Sequence, residues 1–303
     1  MKSYKEEFFA HITALQNTIC SAFEKLDGRA IFKEDKWERP GGGGGQTRVI
    51  SKGAVFEKGG VNISGVHGKL PPQMVEYLNV SNNQFYACGL SLVMHPTSPL
   101  VPTVHANFRY FELYDDSGNV IDQWFAGGAD MTPYYIFEED VVHFHKVWKD
   151  HCDVFGEELY PKYKKACDDY FYNSHRNEAR GIGGIFFDYL RENDKQSSDQ
   201  WKDFTIGASN KFLESYLSIV QERNEYMYTD EHRTWQEIRR GRYVEFNLIH
   251  DKGTLFGLRT NGRIESILMS LPPHVQWTYN HQVEAGSAED ELIQILKNPK
   301  DWV

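Results

Sequence analysis

The stretch Val101–Leu113, VPTVHANFRYFEL, constrains this chain more than any other. Successive side chains of a strand point to opposite faces, so Val104, Ala106, Phe108 and Tyr110 share one side and His105, Asn107 and Arg109 the other. The first set is an ordinary apolar face. The second is a row of donors and acceptors in mid-strand, away from any turn. The preceding run GLSLVMHP behaves similarly, with Ser91 and His95 pointing the same way. A solvated side of an antiparallel sheet is the plain alternative. Solvated faces usually carry Lys, Glu and Thr, however, not His, Asn, Arg and Ser.

Around this strand the chain divides into blocks. Ser3 with Glu6 forms a capping box, and Phe8, Ile12, Leu15, Ile19, Phe23 and Leu26 repeat at helical spacing up to a stop at Gly28. Strands are expected at Arg48–Glu57, Phe85–His95, Thr103–Tyr114 and Val120–Phe125, with Gly41–Gly45 as a flexible loop. Helical spacing returns from Phe137 to about Arg176. Ile182–Phe187 reads as a buried strand, followed by helices over Trp201–Arg223 and Thr229–Arg239. Three further strands, Arg242–His250, Thr254–Thr260 and Arg263–Leu271, and a closing helix near Ala288–Leu296 complete the reading. No repeat or linker divides the chain. The expectation is a single α+β domain over residues 1–303, a largely antiparallel sheet flanked by helices on both sides.

Composition excludes several classes. Hydrophobic residues make up 40% of the 303, aromatic residues 14% and charged residues 25%, as in folded proteins and not disordered ones. No apolar run approaches the roughly 18 residues of a membrane span. The first residues carry no apolar signal core or Arg/Ser-rich transit pattern, so the expected location is the cytoplasm. A net charge of −10 argues against nucleic acid as a partner. Cys20, Cys88, Cys152 and Cys167 form no C-x-x-C pair and read as buried thiols.

Chemistry-bearing residues gather in the patterned segments. Read as a strand, RYVEFNLIHD sets Tyr243, Glu245, Asn247 and Asp251 on one face, and a type I′ turn at Asn261–Gly262 would bring Arg259 and Arg263 alongside. With Arg109, Arg176 and Arg180, these guanidiniums suit bidentate capture of carboxylate or phosphate; structural ion pairs are the bland reading. A polar sheet face roofed by helices suits something large, flat and charged. GGGGG lacks a P-loop Lys-Ser/Thr, RGIGG is followed by Phe187 and Asp188 where a helix should start, and FAGGAD reads as a tight turn placing Asp130. None is a nucleotide motif. His95, His105, His143, His145 and His175 are numerous enough for a metal. Yet His143 and His145 lie about 200° apart on a helix, and no HExxH-like spacing occurs.

Several long words together, GGGGGQTRV, GLSLVMHPTSPLVPTVHANFRYFE, FAGGADMTPYY, PKYKKACDDYFYNSHRNEARGIGGIFFD, RRGRYVEFNLIHDKGTLFGL and NGRIESILMSLPP, resemble the oxygen-dependent coproporphyrinogen III oxidases over nearly the whole chain. The resemblance implies a homodimeric enzyme of haem synthesis. Such an enzyme oxidatively decarboxylates two propionates of coproporphyrinogen III to vinyl groups, giving protoporphyrinogen IX, with O2 as co-substrate. Carried over residue by residue, it implies substrate contacts at Ser91, Asn107, Phe108, Arg109, Asn261, Gly262 and Arg263, with His105 as proton donor. Asp130, Arg180 and Asp251 match functionally important positions. His95, His105, His145 and His175 match histidines proposed as metal ligands in some members, and Tyr243–Thr278 matches the dimer-forming segment. Asn261 stands where Gly is expected in many relatives, and Ala179 fills a variable slot.

The residues themselves fit this chemistry. A floppy macrocycle with four carboxylates needs guanidiniums at its rim, here Arg109, Arg180 or Arg263. A carboxylate such as Asp251 facing the pyrrole N–H groups would stabilise developing positive charge or take a proton, while His105 donates one. The substrate is itself a reductant, so no flavin or haem is expected, and a divalent metal is not required. Two other classes stay open at this point: a His-ligated metal oxygenase acting on another anionic aromatic, and a non-catalytic tetrapyrrole carrier.

Overall fold

The computed structural model describes residues 3–70, 72, 75–76, 84–259 and 262–303. Helix α1 (Tyr4–Asp27) starts at the Ser3–Glu6 capping box and stops at Gly28, whose φ of 68° lets its N–H reach the Glu24 carbonyl. Its apolar stripe buries Phe8, Ile12, Leu15, Ile19 and Phe23, as the spacing predicts. What it covers is a seven-stranded antiparallel sheet. The strands are β1 (Lys33–Glu38), β2 (Gly43–Ser51), β3 (Phe56–Lys69), β4 (Gln84–Pro96), β5 (Thr103–Tyr114), β6 (Val120–Thr132) and β9 (Gly183–Leu190), in that spatial order. A two-stranded ribbon, β7 (Tyr172–Asn173) with β8 (Glu178–Ala179), stands apart.

On the α1 side, strand alternation delivers Leu90, Leu92, Val104, Ala106, Phe108 and Tyr110 to the main core. Helices α2 (Glu138–Asp153), α3 (Leu159–Tyr170) and α4 (Ser198–Arg223) join α1 there, with Phe23 edge-on to Phe212 and Tyr216 of α4. Helix α3 packs against β9, and its last residue, Tyr170, lies flat on Phe186, which belongs to the opposite sheet face. The chain then reaches α5 (Asp230–Glu245), a five-residue π-turn (Phe246–His250), α6 (Lys252–Arg259), α7 (Ile264–Leu268) and a last helix, α8 (Ala288–Lys297).

Three expectations fail here. Arg242–His250, Thr254–Thr260 and Arg263–Leu271 are not strands: the first closes α5 and forms the π-turn, and the others hold α6 and α7. The alternation of Tyr243, Glu245 and Asn247 coexists with a helical stripe, Trp235–Ile238–Arg239–Tyr243–Phe246, and the stripe wins. Gly43–Gly45 is strand, not loop: a Cβ at Gly43 would sit 2.2 Å from the Gly65 oxygen, so glycine lets β2 and β3 close up. FAGGAD likewise runs straight through β6, where a Cβ on Gly128 would lie 2.3 Å from the Ile185 oxygen of β9. Strands β1 and β3 had no sequence forecast of their own beyond Phe56 and Glu57. One is charged at every position but Trp37 and the other is interrupted by glycines.

Candidate active site

The face opposite α1 is built from three cross-strand rows. Val49, Gly60, Val93, His105, Asp130 and Gly184 are register partners in one. Thr47, Asn62, Ser91, Asn107, Gly128 and Phe186 form the next, and Gly45, Ser64, Gly89, Arg109 and Ala126 the third. Small side chains dominate the second and third rows, leaving a flat floor. Beyond it stand Phe85, Phe111 and Trp124, stacked with centroids 5.7 and 4.3 Å apart. The C-terminal segment lies against this face at its β2–β3 end. Ser266 of α7 meets the Thr47 hydroxyl at 2.8 Å and accepts from Asn62 through its carbonyl at 3.0 Å; Lys58 donates to the Leu271 carbonyl at 2.8 Å.

At one end of the floor His105 is braced. Its Nδ1 lies 2.7 Å from Asp130 Oδ1, and Asp130 also accepts from Arg180 Nη2 at 2.8 and 2.7 Å. Arg180 and Asp130 are both almost completely buried, whereas the imidazole keeps 22% of its surface. Burial alone would raise the Asp130 carboxyl, but the Arg180 charge and the His105 bond outweigh it and hold the group below its ordinary value. Arg180 Nη1 donates to Asn247 at 3.0 Å, and its guanidinium carbon lies 4.0, 4.7 and 4.8 Å from the ring centroids of Phe171, Tyr243 and Phe246. A cation enclosed by three rings and bonded to a carboxylate is compensated without water.

Asp251 ends the π-turn and caps α6. One oxygen accepts the Thr254 amide at 2.7 Å and the other the Tyr170 hydroxyl at 2.8 Å. Its charge bears on Arg180 and Tyr243, so it belongs to the same neighbourhood as His105. Arg109 stands on the floor with 45% of its side chain exposed, held by a 2.8 Å bond from Nη2 to Asp188. Arg263 bonds to Asp35 and, at 3.2 Å, to Ser266.

The structure thus brings Ser91, His105, Asn107, Arg109, Asp130, Arg180 and Asp251 together on or beside one face, with Arg263 at the end of the segment that covers it. Two expected roles change. Phe108 is fully buried on the α1 side and cannot meet a ligand on the floor, because residues adjacent in a strand face opposite ways. Arg180 has spent both terminal nitrogens on Asp130 and Asn247, so it braces the site and is no rim guanidinium. At Gly262 an added Cβ would lie 2.8 Å from the Gly257 oxygen, so this glycine serves close packing. Asn261 and the Arg259 side chain lie outside what is described. Sequence reasoning missed Tyr170, Phe171 and Asp188. The first two read as helix stripe, and the third fell just past the strand expected at Ile182–Phe187.

The four candidate metal-ligating histidines do not converge. His95 is fully buried, bonded to the Ser270 carbonyl and Thr103, and pushed well below its ordinary pKa by burial, with the Arg240 charge adding to the effect. His145 lies between the Ile182 carbonyl and the Tyr160 hydroxyl, lowered to about 3 by burial. His175 bonds to Glu245 and His250, each at 2.8 Å, and His105 to Asp130. Among the described residues no three His, Cys, Asp or Glu side chains form a metal-holding group. All four cysteines are free and buried, and Cys20, Cys88 and Cys152 are pushed up to about 12 by burial.

A carboxylate-braced imidazole, a second carboxylate beside the same face and an exposed guanidinium are groups suited to acid–base chemistry on an anionic substrate. Comparison with known proteins narrows that class. A family model described as Coproporphyrinogen III oxidase matches residues 7–302. The chain is 47% identical over 311 residues to "Coproporphyrinogen-III oxidase 1, chloroplastic" of Arabidopsis thaliana, covering 99% of this chain and 80% of the relative. It is 49% identical to "Oxygen-dependent coproporphyrinogen-III oxidase, chloroplastic" of Glycine max with the same coverage. The Nicotiana tabacum protein of that name is also 49% identical, over 95% of this chain and 75% of its own length. The chain belongs to the coproporphyrinogen III oxidase family.

Proposed function

We propose that this chain converts two propionates of coproporphyrinogen III to vinyl groups, with O2 as the oxidant, on the floor described above. Each step balances as a propionate, O2 and one proton giving a vinyl group, CO2 and hydrogen peroxide. The site must therefore deliver one net proton per decarboxylation and stabilise a ring that gives up electrons.

His105 is suited to the proton. Asp130 takes its Nδ1–H, which leaves Nε2 as the atom that can pass a proton to a ligand on the floor. Asp251 is the acceptor for pyrrole N–H groups and the counter-charge for the oxidised ring. Arg109 offers the guanidinium nitrogens that Asp188 does not occupy to a propionate. Arg263, which bonds to Asp35 and Ser266, can reorganise to a second one. The glycine-rich rows accept a flat macrocycle, and Phe85, Phe111 and Trp124 bound it.

The observation that carries this reading is the placement of His105–Asp130 and Asp251 around one floor in a chain of this family. Asp251→Ala tests it. Turnover, followed as O2 uptake with coproporphyrinogen, should fall by orders of magnitude with the fold intact, and a near-normal kcat would remove Asp251 from the site. The same oxygen electrode separates the enzyme from a carrier, which would bind without consuming O2.

Assembly and location are part of the proposal. Leu248, Ile249, Leu258, Ile264 and Trp277 are exposed within residues 243–278, and such an apolar array favours a homodimer through this segment. Sedimentation of Ile249→Asp with Ile264→Asp tests it. No helix among the described residues is long and apolar enough to cross a membrane. Cytoplasmic residence is proposed, although the relatives' names place those proteins in chloroplasts.

A further inference from the structure

Asp251 is bonded by two elements far apart in the chain. The Thr254 amide belongs to its own helix start, but the Tyr170 hydroxyl comes from the far end of α3, 81 residues earlier in the chain. The Tyr170 ring lies on Phe186 of the floor, with centroids 4.6 Å apart and planes 13° apart, and its edge meets Phe246 of the π-turn at 6.1 Å. Its neighbour Phe171 lies under Arg180 and edge-on to His105 at 5.8 Å. One dipeptide therefore touches both halves of the site.

The ring contacts ask only for an aromatic side chain, so phenylalanine would serve them. The hydroxyl is different. Burial, followed by the Asp251 charge and the Asp251 bond, pushes Tyr170 above its ordinary pKa, so it stays a donor at all working pH. The ring's seat on Phe186, in the cross-strand row of Asn107 and Gly128, puts the residue beside the proposed substrate contacts.

We propose that Tyr170 is the positioning residue of Asp251. Its O–H occupies one lone pair of Oδ1 while the Thr254 amide occupies one of Oδ2. The carboxylate plane is thereby locked about the Cβ–Cγ bond, and the remaining lone pairs are aimed at the floor where the pyrrole N–H groups lie. Thr254 alone leaves the carboxylate free to swing about that single bond. The inference rests on the assignment of Asp251 above and adds the residue that orients it.

The test compares Tyr170→Phe, Asp251→Asn and the double variant in the full-length protein, measuring kcat, KM and Tm. Loss of one charge-assisted hydrogen bond that orients the carboxylate should lower kcat by roughly tenfold to a hundredfold, with KM within about twofold and Tm nearly unchanged. The double variant should be no slower than Asp251→Asn, because Tyr170 acts only through that carboxylate. Normal kcat in Tyr170→Phe beside a slow Asp251→Asn overturns the inference, as do multiplicative losses in the double variant. A normal Asp251→Asn sinks the Asp251 assignment instead. If Tyr170→Phe fails to fold, 4-fluorophenylalanine at position 170 keeps the ring, fills much of the hydroxyl's space and removes the O–H donor. A kcat unmoved by that change also overturns the inference.

Discussion

Asp130→Asn separates a catalytic brace from a merely structural ion pair. The substitution keeps volume and removes charge at a group that accepts two bonds from Arg180 and one from His105. Arg180, 2% exposed, then remains as a cation with three aromatic rings and Asn247 for company. Breaking a buried pair from one side costs about 3–5 kcal/mol, and the rings place this case near 3. For 303 residues, at about 2.1 cal/mol/K of unfolding entropy per residue, that is a fall in Tm of roughly 5 °C. Catalysis should suffer more: the amide can donate to Nδ1, reverse the tautomer and strip the imidazolium of its counter-charge, a loss of about 10²–10⁴ in kcat. Differential scanning calorimetry and O2 uptake read the two effects. Adding Arg180→Met should restore part of the Tm by removing the stranded cation, while kcat stays low. Wild-type Tm with kcat within about threefold would refute both the burial argument and the brace.

Two further outcomes follow from the same geometry. Arg109→Ala should raise KM by about tenfold to a hundredfold, the worth of a charge-assisted bond to a propionate, and change kcat far less; an unchanged KM means the guanidinium does not meet substrate. Glu245, which accepts from Arg176, Arg242, His175 and Trp277, is lowered to about 2 because those bonds overcome its burial. A carboxyl depressed in the folded state contributes stability that is complete above its unfolded pKa, near 4.5, and is lost as pH falls toward 2. The gap in urea midpoint between wild type and Glu245→Gln should therefore be full at pH 6 and narrow steadily from pH 5 to pH 3, and a pH-independent gap contradicts the assignment.

How much of this was readable in advance depended on which periodicity stood alone. In Thr103–Tyr114 only the two-residue period fits, and both the strand and its polar face follow directly. In α1 only the helical period fits, and both ends carry cap residues. From Arg242 to Leu271 both periods fit, and nothing local reports that Tyr243, Phe246 and Asn247 must close around Arg180; that choice is made by tertiary packing. Arg180 shows the converse limit. Its importance was legible, but its role was not, because a guanidinium in RGIGG looks the same whether it meets a propionate or a buried Asp130. Tyr170 was hidden for a related reason: a tyrosine at helical spacing reads as core, and only its hydroxyl, which pattern ignores, reaches Asp251.

The site couples two requirements that ordinarily oppose each other. Holding a polyanion favours exposed cations, whereas directing a proton favours buried, desolvated charge. Strand register separates them by two rows. Arg109 lies two residues beyond Asn107 and four beyond His105, at the open part of the floor beside Asp188, and screening by solvent keeps its hold on a carboxylate reversible. His105 lies opposite Asp130, where β6 is covered by β9 and glycine at 184 lets the backbones approach within a Cβ-excluding distance. That close approach excludes water from Asp130 and obliges a counter-ion, which Arg180 supplies from the loop before β9. A Gly184→Ala change would therefore act on proton delivery through the backbone: its Cβ would lie 2.0 Å from the Ala129 oxygen at a φ of +155°, forcing β9 away and wetting Asp130. The His105–Asp130 pair and the sheet edge are in this sense one device, and Asp188 of the same edge strand holds Arg109 beside them.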